Sequence, residues 1–162
     1  MYKKAGFGLL EIVIAVSIIG ATVFALSSVF LMSNKLETRA SNQIRANFLA
    51  EEGLEALRFL RDESWSGHLA NLNTATTYYL SFNAADSAWS VSISDPGLIG
   101  GIFARSFVVG AVNRDGSDDV IDPPAGSPDA NTKKFSVSVS WQERGVYSAI
   151  TLSTYLSDIF AN

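Results

Sequence analysis

IVIAVSIIGATVFALSSVFLMSN, residues 12–34, decides how this chain must be organised. It is a run without a charged side chain, and from Ala5 to Ser33 the only charge is Glu11. A bilayer core takes roughly 20 apolar residues as a helix, so the run is long enough to span one. Lys3 and Lys4 precede it, and basic flanks favour the cytoplasmic side. Residues 35–162 would then lie on the outer face.

The helical signal does not stop at the end of this run. NKLETRASNQIRANFLAEEGLEALRFLRD (34–62) contains no Pro. Leu36, Ala40, Ile44 and Phe48 step by four, and Ala50, Leu54, Leu57 and Leu60 continue by four, three and three. Together they predict one apolar stripe facing a core. Gly53 interrupts it, at about 1 kcal/mol relative to Ala. A single helix over 8–62 would be roughly 80 Å long at about 1.5 Å per residue. A compact domain of this size has a radius of gyration of about 15 Å, so the front half is expected to protrude.

Ser64, Ser66 and Gly67 should end the helix, and β-rich segments follow. Thr77–Phe82 and Trp89–Ile93 are short strands, and Phe103–Val112 is a longer one. FSVSVSW (135–141) alternates strictly, with Phe135, Val137, Val139 and Trp141 on one face and serines on the other. Residues 142–145 form a turn and Val146–Tyr155 returns, giving a hairpin over 135–155. Between the third and fourth strands, RDGSDDVIDPPAGSPDANTKK (114–134) reads as a long exposed loop. The predicted class is α+β: a long N-terminal helix, half transmembrane and half amphipathic, packed on a small antiparallel sheet.

Composition narrows the function. The 162 residues are 48% hydrophobic and 17% charged, against about 25% charged in average soluble proteins. There is no Cys and one His, His68, which excludes a disulfide framework, a thiol nucleophile and a multi-His metal site. With 12 Lys+Arg against 16 Asp+Glu the net charge is −4, so no nucleic-acid partner is expected. No P-loop, GxSxG or HExxH appears; neither enzymatic activity nor a cofactor is predicted. Glu51, Glu52 and Glu55 lack a His within reach and read as a solvated or subunit-contacting face. His68 reads as a loop residue, and Gly97, Gly100 and Gly101 as a connector. Asp115, Asp118, Asp119 and Asp122 are weak candidates for Ca²⁺, because no Glu closes the spacing of a calcium loop.

Glu11 is the residue that asks for an explanation. A carboxylate at mid-membrane costs about 2.5–3.5 kcal/mol on insertion scales and less near the interface. Nothing near it in sequence offers a partner. Cutting the chain before Phe7 would create one, an α-amine with a pKa of about 7.7–8.0. Its ammonium could pair with Glu11 of the same or a neighbouring chain.

KKAGFGLLEIVIAVSIIG (3–20) resembles the N-terminus of type IV pilins and pseudopilins: a short basic leader ending in Gly6, then Phe7, then Glu11 at the fifth mature position, then an apolar span. VSWQERG and LSTYL near the C-terminus are also similar to pilins with a short terminal hairpin. The resemblance implies a leader (1–6) removed by a prepilin peptidase between Gly6 and Phe7, and N-methylation of Phe7. It further implies a transmembrane and filament-core helix (7–33), an amphipathic helix half (34–62) and a sheet head (63–162). Glu11 would set assembly register. The implied partners are further pilin subunits, the prepilin peptidase/methyltransferase, an assembly ATPase, a platform protein, and the membrane before assembly. The implied product is a cell-surface pilus of the kind used in adhesion and motility. Gly8 stands where the family often has Thr, no Pro kinks the first helix, and the family's C-terminal Cys pair is missing. Other readings of these residues are a minor pilin or pseudopilin in secretion or DNA uptake, and a monomeric membrane-anchored binding module. A secretory signal cut after Val23-Phe24-Ala25 is a third.

Overall fold

The computed structural model describes residues 8–74 and 76–159. The expected cleavage point at Gly6–Phe7 lies outside the described residues. The chain divides into two compact units, Met1–Asn42 and Gln43–Asn162, and the class is α+β.

A single α-helix, α1, covers Leu9–Ser64. The Gly8 carbonyl accepts from the amides of Glu11 and Ile12 at 3.0 and 3.3 Å, which opens the helix. With no Pro inside it, every following turn can keep its main-chain bonds. At the other end Ser64 turns extended, and its hydroxyl accepts from the Gly67 amide at 3.1 Å. A π-helical turn, Trp65–Leu69, follows directly. His68 therefore sits in that turn and not in the loop predicted for it. The Lys133 ammonium closes the turn, donating to the carbonyls of Leu69 (3.1 Å), Leu72 (3.0 Å) and Ala70.

The second unit contains a five-stranded antiparallel sheet: β1 (Thr77–Asn83), β2 (Ala88–Ser92), β3 (Phe103–Gly110), β7 (Thr132–Glu143) and β8 (Val146–Ser157). Their spatial order is β2-β1-β3-β7-β8. The predicted hairpin is the longest pairing, from Thr132↔Ser157 to Glu143↔Val146. Arg144 and Gly145, both at positive φ, make its two-residue turn, whose twist matches the flanking strands. Inward positions of β3 and β7 bury Phe103, Phe107, Phe135, Val137, Val139 and Trp141 against the helix.

Two further expectations need correction. Leu36, Ile44 and Phe48 do not face the sheet; they are 54%, 56% and 65% exposed. The buried helix positions are Ala46, Ala50, Gly53, Leu54, Ala56, Leu57 and Leu60. A series stepping strictly by four overshoots each turn by about 40° and drifts round the helix. Steps of four and three alternately, as in 46–50–53–57–60, stay on one side. That side is made of small residues at its start, which a search for Leu, Ile and Phe passes over.

The second correction concerns 114–134. It is not one long loop. β4 (Asn113–Arg114), β5 (Val120–Ile121) and β6 (Ser127–Pro128) form a separate three-stranded sheet in the order β5-β4-β6. Its strands are two residues long, too short to show any hydrophobic period. It is held by side chains: Asn113 donates to the Ala125 carbonyl at 2.5 Å. Arg114 donates Nε to Asp129 at 2.7 Å, Nη1 to the Asp118 carbonyl at 2.8 Å and Nη2 to Thr132 at 3.3 Å.

Candidate functional site

The exposed part of α1 is the strongest candidate. Each large apolar side chain from Leu9 to Met32 is at least half exposed, from 50% at Ile14 to 83% at Leu9. Helices apolar all round occur where lipid or other helices surround them. This one is long and apolar enough to cross a membrane. Its hydroxyls are turned inward onto the helix's own carbonyls: Ser17 to Val13 (2.7 Å), Thr22 to Ile19 (2.8 Å), Ser27 to Val23 (2.9 Å) and Ser28 to Phe24 (3.0 Å). Such back-bonding satisfies polar groups without water, as a hydrocarbon environment requires. At Gly20 an added Cβ would meet nothing.

Glu11 lies in the first turn of this helix. The helix dipole favours a negative charge there, and no ion pair reaches its carboxylate among the described residues. Its predicted partner, the Phe7 amine, is outside the described residues.

Several of the other candidate residues make structural contacts. Asp115 Oδ1 accepts from the amides of Ser117 (2.8 Å) and Asp119 (3.0 Å). Asp118 lies 3.6 Å from Arg114, and Asp122 pairs with Lys134 at 3.2 Å. The Asp129 contact lifts the Arg114 guanidinium above its ordinary pKa, and the Asp122 contact does the same for Lys134. Among the described residues no group of three His, Cys, Asp or Glu side chains is placed to hold a metal ion. Glu55 pairs with Arg58, and His68 lies 3.4 Å from Glu63. Gly97, Gly100 and Gly101 all have positive φ, and Ile99 and Phe103 bond across the last two at 2.7 and 3.1 Å.

Arg105 was not singled out from the sequence. It is 6% exposed on β3. It donates to Glu52 at 3.0 Å and to the Leu49 carbonyl at 3.2 Å, and it lies 5.2 Å from the Trp89 ring centre. It ties the helix to the sheet. The alternation Phe103, Arg105, Phe107, Val109 already placed it inward. No protein-family model, curated protein or solved structure matches this chain.

Proposed function

We propose that this chain is the structural subunit of a type IV pilus, made as a single-span membrane precursor and assembled through its apolar N-terminal helix. The observation that carries the reading is an all-round exposed apolar helix whose first turn holds one carboxylate, Glu11, without an ion-pair partner among the described residues. Lipid covers such a helix before assembly, and neighbouring helices replace the lipid in a filament. Burying each of these side chains is worth about 1.5–3 kcal/mol against leaving it in water.

Register is the role of Glu11. A cut between Gly6 and Phe7 leaves an α-ammonium, and methylation of the Phe7 nitrogen preserves its charge. Only a subunit advanced to the right height brings that ammonium to the Glu11 carboxylate of its neighbour. The sequence contains no nucleotide-binding motif, so an external ATPase, a platform protein and the peptidase supply extension and processing.

Two measurements test this. Mass spectrometry of the N-terminus should find a methylated Phe7; a start near Leu26 would show a secretory signal instead. Glu11→Ala, expressed as the only copy, should insert and be cleaved but yield little filament in the sheared surface fraction. Removing one partner of a buried charge pair typically costs about 3–5 kcal/mol. Glu11→Asp should be intermediate. Wild-type filament yield from Glu11→Ala would remove the register role.

A further inference from the structure

Among the described residues β8 is the last strand of its sheet, and β7 alone pairs with it. The two-residue turn closes on Glu143↔Val146. A pair at that position exchanges both main-chain bonds, and in an antiparallel ladder such pairs alternate. Even-numbered residues from Val146 to Leu156 therefore bond to β7. Odd-numbered residues from Tyr147 to Tyr155 turn their N–H and C=O groups to the open edge.

This edge lacks the usual protection. Natural edge strands are short, carry Lys or Pro, or are bulged. β8 runs for 12 residues, VYSAITLSTYLS, with no Pro, Gly or charged residue. Its outward side chains Tyr147, Ala149, Thr151, Ser153 and Tyr155 are exposed. Its inward ones from Ser148 to Thr154 are only half-buried, where the inward residues of β7 are buried. The opposite edge strand, β2, has five residues.

The order of side chains along this edge is symmetric about Thr151. Ile150 mirrors Leu152, Ala149 mirrors Ser153, Ser148 mirrors Thr154, Tyr147 mirrors Tyr155, and Val146 mirrors Leu156. Directly opposite residues of an antiparallel pair share a face. Two β8 strands crossing at Thr151 would thus set aromatic on aromatic, aliphatic on aliphatic and hydroxyl on hydroxyl, with no like charges opposed. The same register brings odd residues against odd residues, the ones whose main-chain groups are open. Sliding by two residues sets Tyr147 against Ser153 or Ser157 and breaks the match.

We propose that β8 pairs antiparallel with β8 of a second copy of this chain, about a two-fold axis at Thr151. The two five-stranded sheets then run on as one, joined by about ten main-chain hydrogen bonds. A strand from an unrelated partner would give the edge no reason to mirror itself, whereas a two-fold contact requires self-complementarity. Such a contact closes on itself and joins copies in pairs. The axis stands normal to the joined sheet, so the helices that pack on it (46–60) run in opposite directions in the two copies, and copies joined this way are not neighbours in a filament whose subunits all point one way.

The chain has no Cys, so single cysteines report the register. The experiment uses the full-length chain in detergent under mild oxidation. In this register residue 151 faces its own copy at about 5.5 Å between Cα atoms, inside the range of about 4.4–6.8 Å that a disulfide needs. Residues 149 and 153 face each other, and each lies about 14 Å from its own copy. Thr151→Cys should give at least about tenfold more disulfide dimer than Ala149→Cys or Ser153→Cys alone. Mixing the last two proteins should give the cross-linked heterodimer. Failure of either positive arm, or equal yield from all three single variants, overturns the proposal.

Discussion

Gly53 carries opposite meanings in sequence and in structure. In a helix it is a defect of about 1 kcal/mol relative to Ala. In the fold it is a point of tight packing between helix and sheet: an added Cβ would lie 2.9 Å from Val137 Cγ1 and 3.3 Å from Arg105 Cδ. Val137 is fully buried and Arg105 is fixed by Glu52 and Leu49, so neither has room to withdraw. Overpacking of this kind costs about 1–3 kcal/mol, more than the helix propensity gained. Gly53→Ala should therefore lower the thermal unfolding midpoint of the second unit. An unchanged or higher midpoint would mean that the helix can lift off β7 without loss. The sequence could show the defect at Gly53 but not its use, because its neighbour Val137 is 84 residues away.

Elements differ in how far the sequence disclosed them. β7 alternates over its whole length, and period two is enough to assign its faces. The amphipathic half of α1 reads as a helix, but its large apolar residues mark only part of its buried side, since Ala46 and Ala50 carry little hydropathy. The β4–β5–β6 sheet left no trace at all. Its bonds come from Arg114, Asn113 and Asp129, residue types that also populate loops. The Thr132 hydroxyl and the Arg114 guanidinium hold the Asp129 carboxyl below its ordinary range. Its folded form thus favours the ionised carboxylate. That stability is fully present above the unfolded value, about 3.9, and is lost as pH falls through the lower folded value. Hydrogen exchange should accordingly show amides of Asn113, Arg114, Val120 and Ile121 losing protection below about pH 4, ahead of those in β7. Asp129→Asn should remove this acid dependence. Equal loss across both sheets in the native chain would mean that Asp129 does not control the small sheet separately.

At the scale of the whole molecule, the buried core and the run apolar enough to cross a membrane occupy different stretches of one helix. Among the described residues every buried one lies at or beyond Ala46, and residues 8–41 are exposed throughout. The division was partly legible, because a charge-free run of this length is a strong signal by itself. Where the folded unit begins was not, since the helix carries on past the run without a break in pattern. A fragment from Lys35 to Asn162 keeps all of the buried core and discards the apolar run. It should stay soluble without detergent and unfold in one cooperative transition, whereas the full chain should need detergent or lipid. A second fragment from Leu54 loses Ala46, Ala50, Gly53 and the Glu52 partner of Arg105. Arg105 would then lose both the Glu52 carboxylate and the Leu49 carbonyl, and hydrogen bonds to a charged group are worth about 1.5–3 kcal/mol. With total stability of about 5–15 kcal/mol for a domain, the further loss of helix–sheet packing should leave this fragment unfolded. Circular dichroism during thermal melting checks both. A cooperative transition in the shorter fragment, or none in the longer one, would show that residues 46–53 are not the part of the helix on which the sheet depends.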